Sequence, residues 1–130
     1  MCSSPRIAIA GAGPAGLTLA TLLHKHGIPF TIFELRSKPT PEEWAIPSGM
    51  LDLHEPSGLL AIHECGVYDE FLIKTAECTE EFIVADKDGN KLHVSGGENR
   101  TSPEISRNNL SQLLLGQIPE EMIQGPQVRV

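Results

Sequence analysis

The residues with the clearest chemical potential stand near the N-terminus: the run Gly11-Ala12-Gly13-Pro14-Ala15-Gly16, and then Glu34. The run matches G-x-G-x-x-G, a spacing that suits a turn wrapped around a diphosphate. Gly11 would permit the tight turn, Gly13 would let a pyrophosphate approach bare backbone, and Gly16 would let the following helix lie close on the preceding strand. Pro14 suits a first helical turn, where its missing N–H costs nothing. The amides around Pro14 and Ala15 would then point at the phosphates, and the helix dipole would favour their charge. Glu34 could accept both hydroxyls of an adenosine ribose and would repel a 2′-phosphate. That disfavours NADP in this pocket and leaves FAD or NAD. Arg36 could stack on adenine, contact a phosphate, or stand solvated at the surface.

Such a site needs a strand, a turn, a helix and a second strand in that order, and the sequence supplies them. Arg6 to Ala10 is a short apolar run that suits a strand buried on both faces, as in a parallel sheet. The helix runs to about His26, with Gly27 as its stop. Ile28 to Glu34 is the second strand, and a unit joined this tightly makes a right-handed parallel crossover. Ser37 to Ser48 holds three prolines and reads as a loop. Ser57 to Cys65 reads as a helix with Ser57 as N-cap and Gly66 as stop, and Asp69 to Thr75 as a further helical turn. Phe82–Asp86 and Lys91–Ser95 flank Lys87-Asp88-Gly89-Asn90, which predicts a hairpin. Arg107 to Ile118 is a second long helix, closed by Pro119. Val128-Arg129-Val130 looks like the opening of another strand.

Composition narrows the partners. The chain has 130 residues, enough for one core, so 1–130 reads as one domain. It carries 17 acids against 10 bases, a net charge of −7 that repels nucleic-acid phosphates and anionic lipid. The uncharged stretch Ile7–Leu23 is broken by Gly11, Gly13, Pro14 and Gly16, so it fits a strand and helix better than a signal peptide or membrane span. Cys2, Cys65 and Cys78 are odd in number and lack metal-ligand spacing. They read as reduced thiols of a cytoplasmic protein, with Cys65 a small core residue. The five histidines show no metal spacing either, so no metal is expected and no catalytic residue is assigned.

Two later segments carry a resemblance. Gly49-Met-Leu-Asp52-Leu-His54 with Ser57-Gly58-Leu59, and Pro103-Glu-Ile-Ser-Arg107-Asn-Asn-Leu110, resemble FAD-dependent monooxygenases of the aromatic-hydroxylase type, above all the tetracycline-inactivating branch and its fungal relatives. The resemblance implies an α/β, Rossmann-like FAD-binding domain with a parallel sheet and a small β-hairpin insertion. It implies FAD on Gly11, Gly13, Gly16 and Glu34, with Gly49 and Asp52 beside the flavin half and Arg107 reaching across to the cofactor. The guanidinium's planar fork of donors suits that role, and a cation at a helix start is otherwise disfavoured.

The resemblance also implies NAD(P)H as reductant, O2 as co-substrate and an aromatic or polyketide-like small molecule as substrate, in secondary metabolism. It covers only the N-terminal part of such enzymes. No Gly-Asp pair follows Arg107, and Ala45 stands where close relatives place a basic residue thought to meet NADPH. Three readings follow: the N-terminal FAD-binding part of a monooxygenase; a truncated, non-catalytic dinucleotide-binding or interaction module, with a second chain completing the fold; or another reductase of the same class, which the two later segments disfavour.

Overall fold

The computed structural model describes residues 6–76, 81–96 and 103–125. In chain order the elements are β1 (Ile7–Ala10), α1 (Pro14–Lys25), β2 (Phe30–Phe33), α2 (Pro41–Ala45), β3 (Met50–Asp52), α3 (Gly58–Cys65), α4 (Tyr68–Lys74), β4 (Thr75–Ala76), β5 (Glu81–Ala85), β6 (Lys91–Gly96), β7 (Glu104–Ser106), α5 (Arg107–Leu115), a 3-10 turn Glu120–Met122 and β8 (Ile123–Gln124). This is the α/β class expected, with a parallel sheet and a separate hairpin.

β1 and β2 run parallel with Ile7 opposite Phe30 and Ala10 opposite Phe33, and β8 joins β2 on its far side. Alternation along the strands sends Ile9, Phe30 and Ile32 into the core, against Leu17 and Ala20 of α1. Helix α5 packs beside α1 and adds Leu110, Leu113 and Leu114, while α3 and α4 add Ile62 and Phe71. Burial of β1 on both faces is not observed. Ala8 and Ala10 are exposed and Phe33 is 51 % exposed, while Ile9, Phe30 and Ile32 are buried in the core with α1.

A second, antiparallel sheet has β7 at its centre, between β3 and β4. Its position follows from α5, which begins at the residue after β7. Ser106 ends the strand and caps the helix, its hydroxyl accepting from Asn109 N at 3.1 Å. The helix stops at Leu115, short of the expected Ile118, as Gly116 takes the C-cap position. Ser57 does occupy the N-cap of α3, yet its hydroxyl donates to the His54 carbonyl at 3.1 Å and caps nothing. The stop at Gly66 is as expected, with φ +77°.

The hairpin β5–β6 forms around Gly89, at φ +85°. The Asp86 carboxylate accepts from Asp88 N, Asn90 N and the Asn90 amide at 2.9 Å each, and those bonds hold its pKa below the usual range. The proline-rich segment is not all loop. Thr40 and Glu43 cap each other's backbone, so five residues from Pro41 form α2. Val128–Val130, read above as a strand opening, lies outside the described residues. Among the described residues no helix is long and apolar enough to cross a membrane, and no cluster of His, Cys, Asp or Glu could hold a metal.

Candidate dinucleotide-binding site

The turn begins where β1 ends. Gly11 N donates to the Phe33 carbonyl at 2.8 Å, which pins the turn to the end of β2. Gly11 has φ +98°, a conformation that a side chain would strain. A Cβ on Gly16 would collide with the Gly11 carbonyl oxygen and press on Ile9 at 3.3 Å, so helix and strand can approach only because Gly16 is bare. Gly13 differs. Its φ is −76° and a Cβ there would meet no atom within 4 Å, so the chain itself gives no reason for a glycine. A ligand approaching that backbone would.

α1 starts at Pro14 with Gly13 as N-cap and no side-chain cap. The N–H groups of Ala15 and Gly16 fall in the first turn, where an α-helix offers no carbonyl to receive them. They form the positive end of the helix dipole. The Ala12 N–H is already used, since it donates to Glu34 Oε2 at 2.8 Å. The other oxygen of Glu34 accepts from Arg36 N at 2.8 Å and from Arg36 Nε at 3.3 Å. The Arg36 backbone N–H, then that of Ala12, hold the Glu34 carboxyl below the usual glutamate range, with partial burial opposing them. Glu34 is therefore a carboxylate at neutral pH, and it ties the turn to the end of β2 before any ribose is present. An ionised carboxylate has about four acceptor sites; three are taken, so one stays open on Oε2 for a ribose hydroxyl, and a second opens where the exposed Arg36 guanidinium lets go of Oε1.

A cleft of about 700 Å³ opens beside the turn, within the range of small-molecule and cofactor sites. It brings together Gly13, Pro14, Glu34, Arg36 and Arg107 of the residues expected from sequence. Gly11 and Gly16 shape the turn behind it, and Ala15 is exposed on the first turn of α1. Arg107 opens α5, is exposed, and its guanidinium makes no hydrogen bond or ion pair with the described residues. Gly49 does not line the cleft but touches its edge, because its carbonyl accepts from Arg107 N at 2.9 Å. Asp52 is not brought to the cleft. It is exposed on β3, opposite Glu104 of β7.

Sequence reasoning missed one wall and part of the floor. Glu43, Trp44 and Ile46 form a wall, and Leu17, Leu115 and Ile118 add apolar surface. The Thr40-x-x-Glu43 capping pattern was the available signal for that wall. Cys65 is buried as expected, and burial pushes its thiol pKa up.

Residues 5–118 match the sequence profile of a family described as "FAD binding domain". The chain belongs to that family. Among curated proteins it is 52 % identical over 122 residues to Monooxygenase penA of Penicillium thymicola and 50 % identical over 120 residues to Monooxygenase asqM of Emericella nidulans. Each match takes in 91 % of this chain and 27 % of the relative, so the chain spans about a quarter of the relatives' length. Among solved structures, a putative FAD containing monooxygenase from Photorhabdus luminescens covers 92 % of this chain, with TM-score 0.72 and 25 % identity. The tetracycline destructase Tet(51) covers 95 % of it with TM-score 0.64 and 20 % identity, a likeness of fold. This chain covers 30 % of each of those two structures. The residues present fit FAD: open space at Gly13, amides at a helix start without carbonyl partners, an ionised Glu34 and an Arg107 guanidinium with no partner among the described residues.

Proposed function

We propose that this chain is the FAD-binding part of a flavin-dependent monooxygenase that hydroxylates an aromatic or polyketide-like small molecule, using NAD(P)H and O2. The observation that carries the reading is the juxtaposition in one cleft of Gly13 at the open start of α1 with the ionised Glu34 at the end of β2. When bound, FAD supplies the two-electron and oxygen chemistry; the protein supplies binding, orientation and exclusion of water. In this chain, the Ala15 and Gly16 amides would meet the pyrophosphate, Glu34 the ribose, and Arg36 the adenine side. Arg107 would place its charge against the phosphates from the opposite element. Gly49 follows Arg107 at the cleft edge, and Asp52 is assigned to the flavin half by resemblance alone.

The monooxygenase reaction is supported by the two fungal relatives and the Photorhabdus structure, and the substrate class rests on the resemblance of the two later segments to aromatic hydroxylases. Equilibrium dialysis of the purified 130-residue chain against FAD tests the binding part. A yellow, folded complex from which excess ADP displaces FAD is the expected result. A folded chain that takes up no FAD would overturn the reading.

A further inference from the structure

The wall that carries Trp44 has little to hold it in place. α2 is five residues long, contains no buried residue, and is too short to persist alone. On its N-terminal side the segment is tied by Lys38 to Glu120 at 3.0 Å, an ion pair whose side chains are 65 % and 81 % exposed. Pairs that exposed contribute little. On its C-terminal side the ties are of another kind. The Asn108 side-chain amide donates to the Trp44 carbonyl at 3.2 Å and to the Ile46 carbonyl at 3.0 Å. Its backbone N–H donates to the Ser48 hydroxyl at 3.0 Å, and the Arg107 N–H beside it donates to the Gly49 carbonyl. Two successive residues at the start of α5 thus fasten residues 44–49.

We infer that Asn108 is a positioning residue: it holds the strap that sets Trp44 and Ile46 as one wall of the dinucleotide cleft, while its neighbour Arg107 faces the same cleft. The inference rests on the reading of the cleft as the FAD site. An amide nitrogen carries two hydrogens, which matches the two carbonyls it meets. No aspartate can replace it, since a carboxylate would face both carbonyl oxygens with no donor. Asn108 itself stands on the cleft lining, but both hydrogens of its amide are taken by the two carbonyls, so it acts on FAD through the strap, of which Trp44 is the bulkiest side chain.

Trp44 is the single tryptophan in the chain, so its emission reports the strap directly. The test compares the wild-type chain with Asn108→Asp, Asn108→Ala, Trp44→Ala and the double variant Asn108→Ala/Trp44→Ala. FAD dissociation constants are read by dialysis, Trp44 accessibility by acrylamide quenching without ligand, and folding by thermal melts. Losing both amide bonds is expected to weaken FAD binding about tenfold and to raise Trp44 quenching in the folded chain. The double variant is expected to lose no more FAD affinity than Trp44→Ala, because the two changes remove one device. Asn108→Ala, which adds no charge, serves if the aspartate variant fails to fold. A lowered melting temperature with unchanged FAD affinity and unchanged quenching would overturn the inference, and so would losses that add. A wild-type chain that binds no FAD removes both this inference and the reading beneath it.

Discussion

Replacing Glu34 by glutamine separates its two roles. In the free chain, one carboxylate oxygen accepts from Ala12 N and the other from Arg36 N, each at 2.8 Å. Glutamine keeps one oxygen and presents an amide group at the other position. The less costly choice keeps the Ala12 bond, in the half-buried turn, and releases Arg36, an exposed residue that water can serve. The free chain should then lose about 1 kcal/mol, read as a fall of about 4 °C in melting temperature. Binding should suffer more. Ribose hydroxyls would lose a charged acceptor, and hydrogen bonds to charged groups are worth about 1.5–3 kcal/mol, so FAD and ADP should each bind about 10- to 100-fold more weakly.

Discrimination against adenosine 2′,5′-bisphosphate should shrink, since the repelling charge is gone. The pH dependence has a definite sign. The folded pKa lies below the ordinary glutamate value, so this stabilisation is complete above that value and fades as pH falls through the folded one. The glutamine variant should therefore lose part of the acid sensitivity seen in wild-type melts. Calorimetric titration with ADP and melts across pH check both parts. A lower melting temperature with wild-type ADP affinity would reduce Glu34 to a brace for the turn, and no change in either would refute the argument altogether.

Three further outcomes follow from the same geometry. Gly16→Ala should leave little folded chain by melt or circular dichroism, because its Cβ collides with the Gly11 carbonyl, which is backbone and cannot swing aside. Arg107→Gln should weaken FAD binding about 10- to 100-fold with no loss of melting temperature in the free chain, since it removes a cation from a helix N-terminus. Cys65 should resist alkylation at neutral pH until the chain unfolds, because burial raises its thiol pKa and only 7 % of the residue is exposed. Peptide mapping after timed iodoacetamide treatment reads this out, and rapid labelling in the native chain would contradict the packing of α3 on α1.

The glycine turn, α1, the parallel return strand and the hairpin were legible because each is written in local chemistry. Glycine at positive φ marks Gly11, Gly27, Gly66 and Gly89, and Pro14 marks a helix start. What escaped is short or non-local. β3 and β7 have three residues each, too few to show an alternation, and β8 has two. Their pairing depends on partners as far apart as Ile32 and Ile123. α2 was written in sequence as a capping box, but Pro41 at its start with Pro39 and Pro47 on either side gave the stronger loop signal. The full burial of β1 was overdrawn because periodicity cannot tell a strand covered on both faces from one whose small residues, Ala8 and Ala10, simply face outward. Glu34 was singled out by type and spacing and Arg107 by the resemblance, yet the Ala12 tie and the Asn108 clamp depend on where the backbone passes, and no residue type announces that.

The charges around the cleft show why Arg107 and not its cationic neighbours should meet the phosphates. Three cations line it in a chain whose net charge is −7. Arg36 is drawn to Glu34 at 3.3 Å, and Lys38 to Glu120 at 3.0 Å. Glu43, the remaining acid of the lining, is engaged by the Thr40 backbone. Arg107 has no carboxylate partner among the described residues and stands at a helix end that repels it. A diphosphate seated on the start of α1 would relieve that repulsion and need not break an ion pair to do so. The same anion would have to compete with Glu34 for Arg36 and with Glu120 for Lys38. On that ground added salt should weaken FAD binding in the wild-type chain more than in Arg107→Gln, whereas removing Lys38 should change the salt dependence little. Equal salt slopes for wild type and Arg107→Gln would place the phosphates elsewhere.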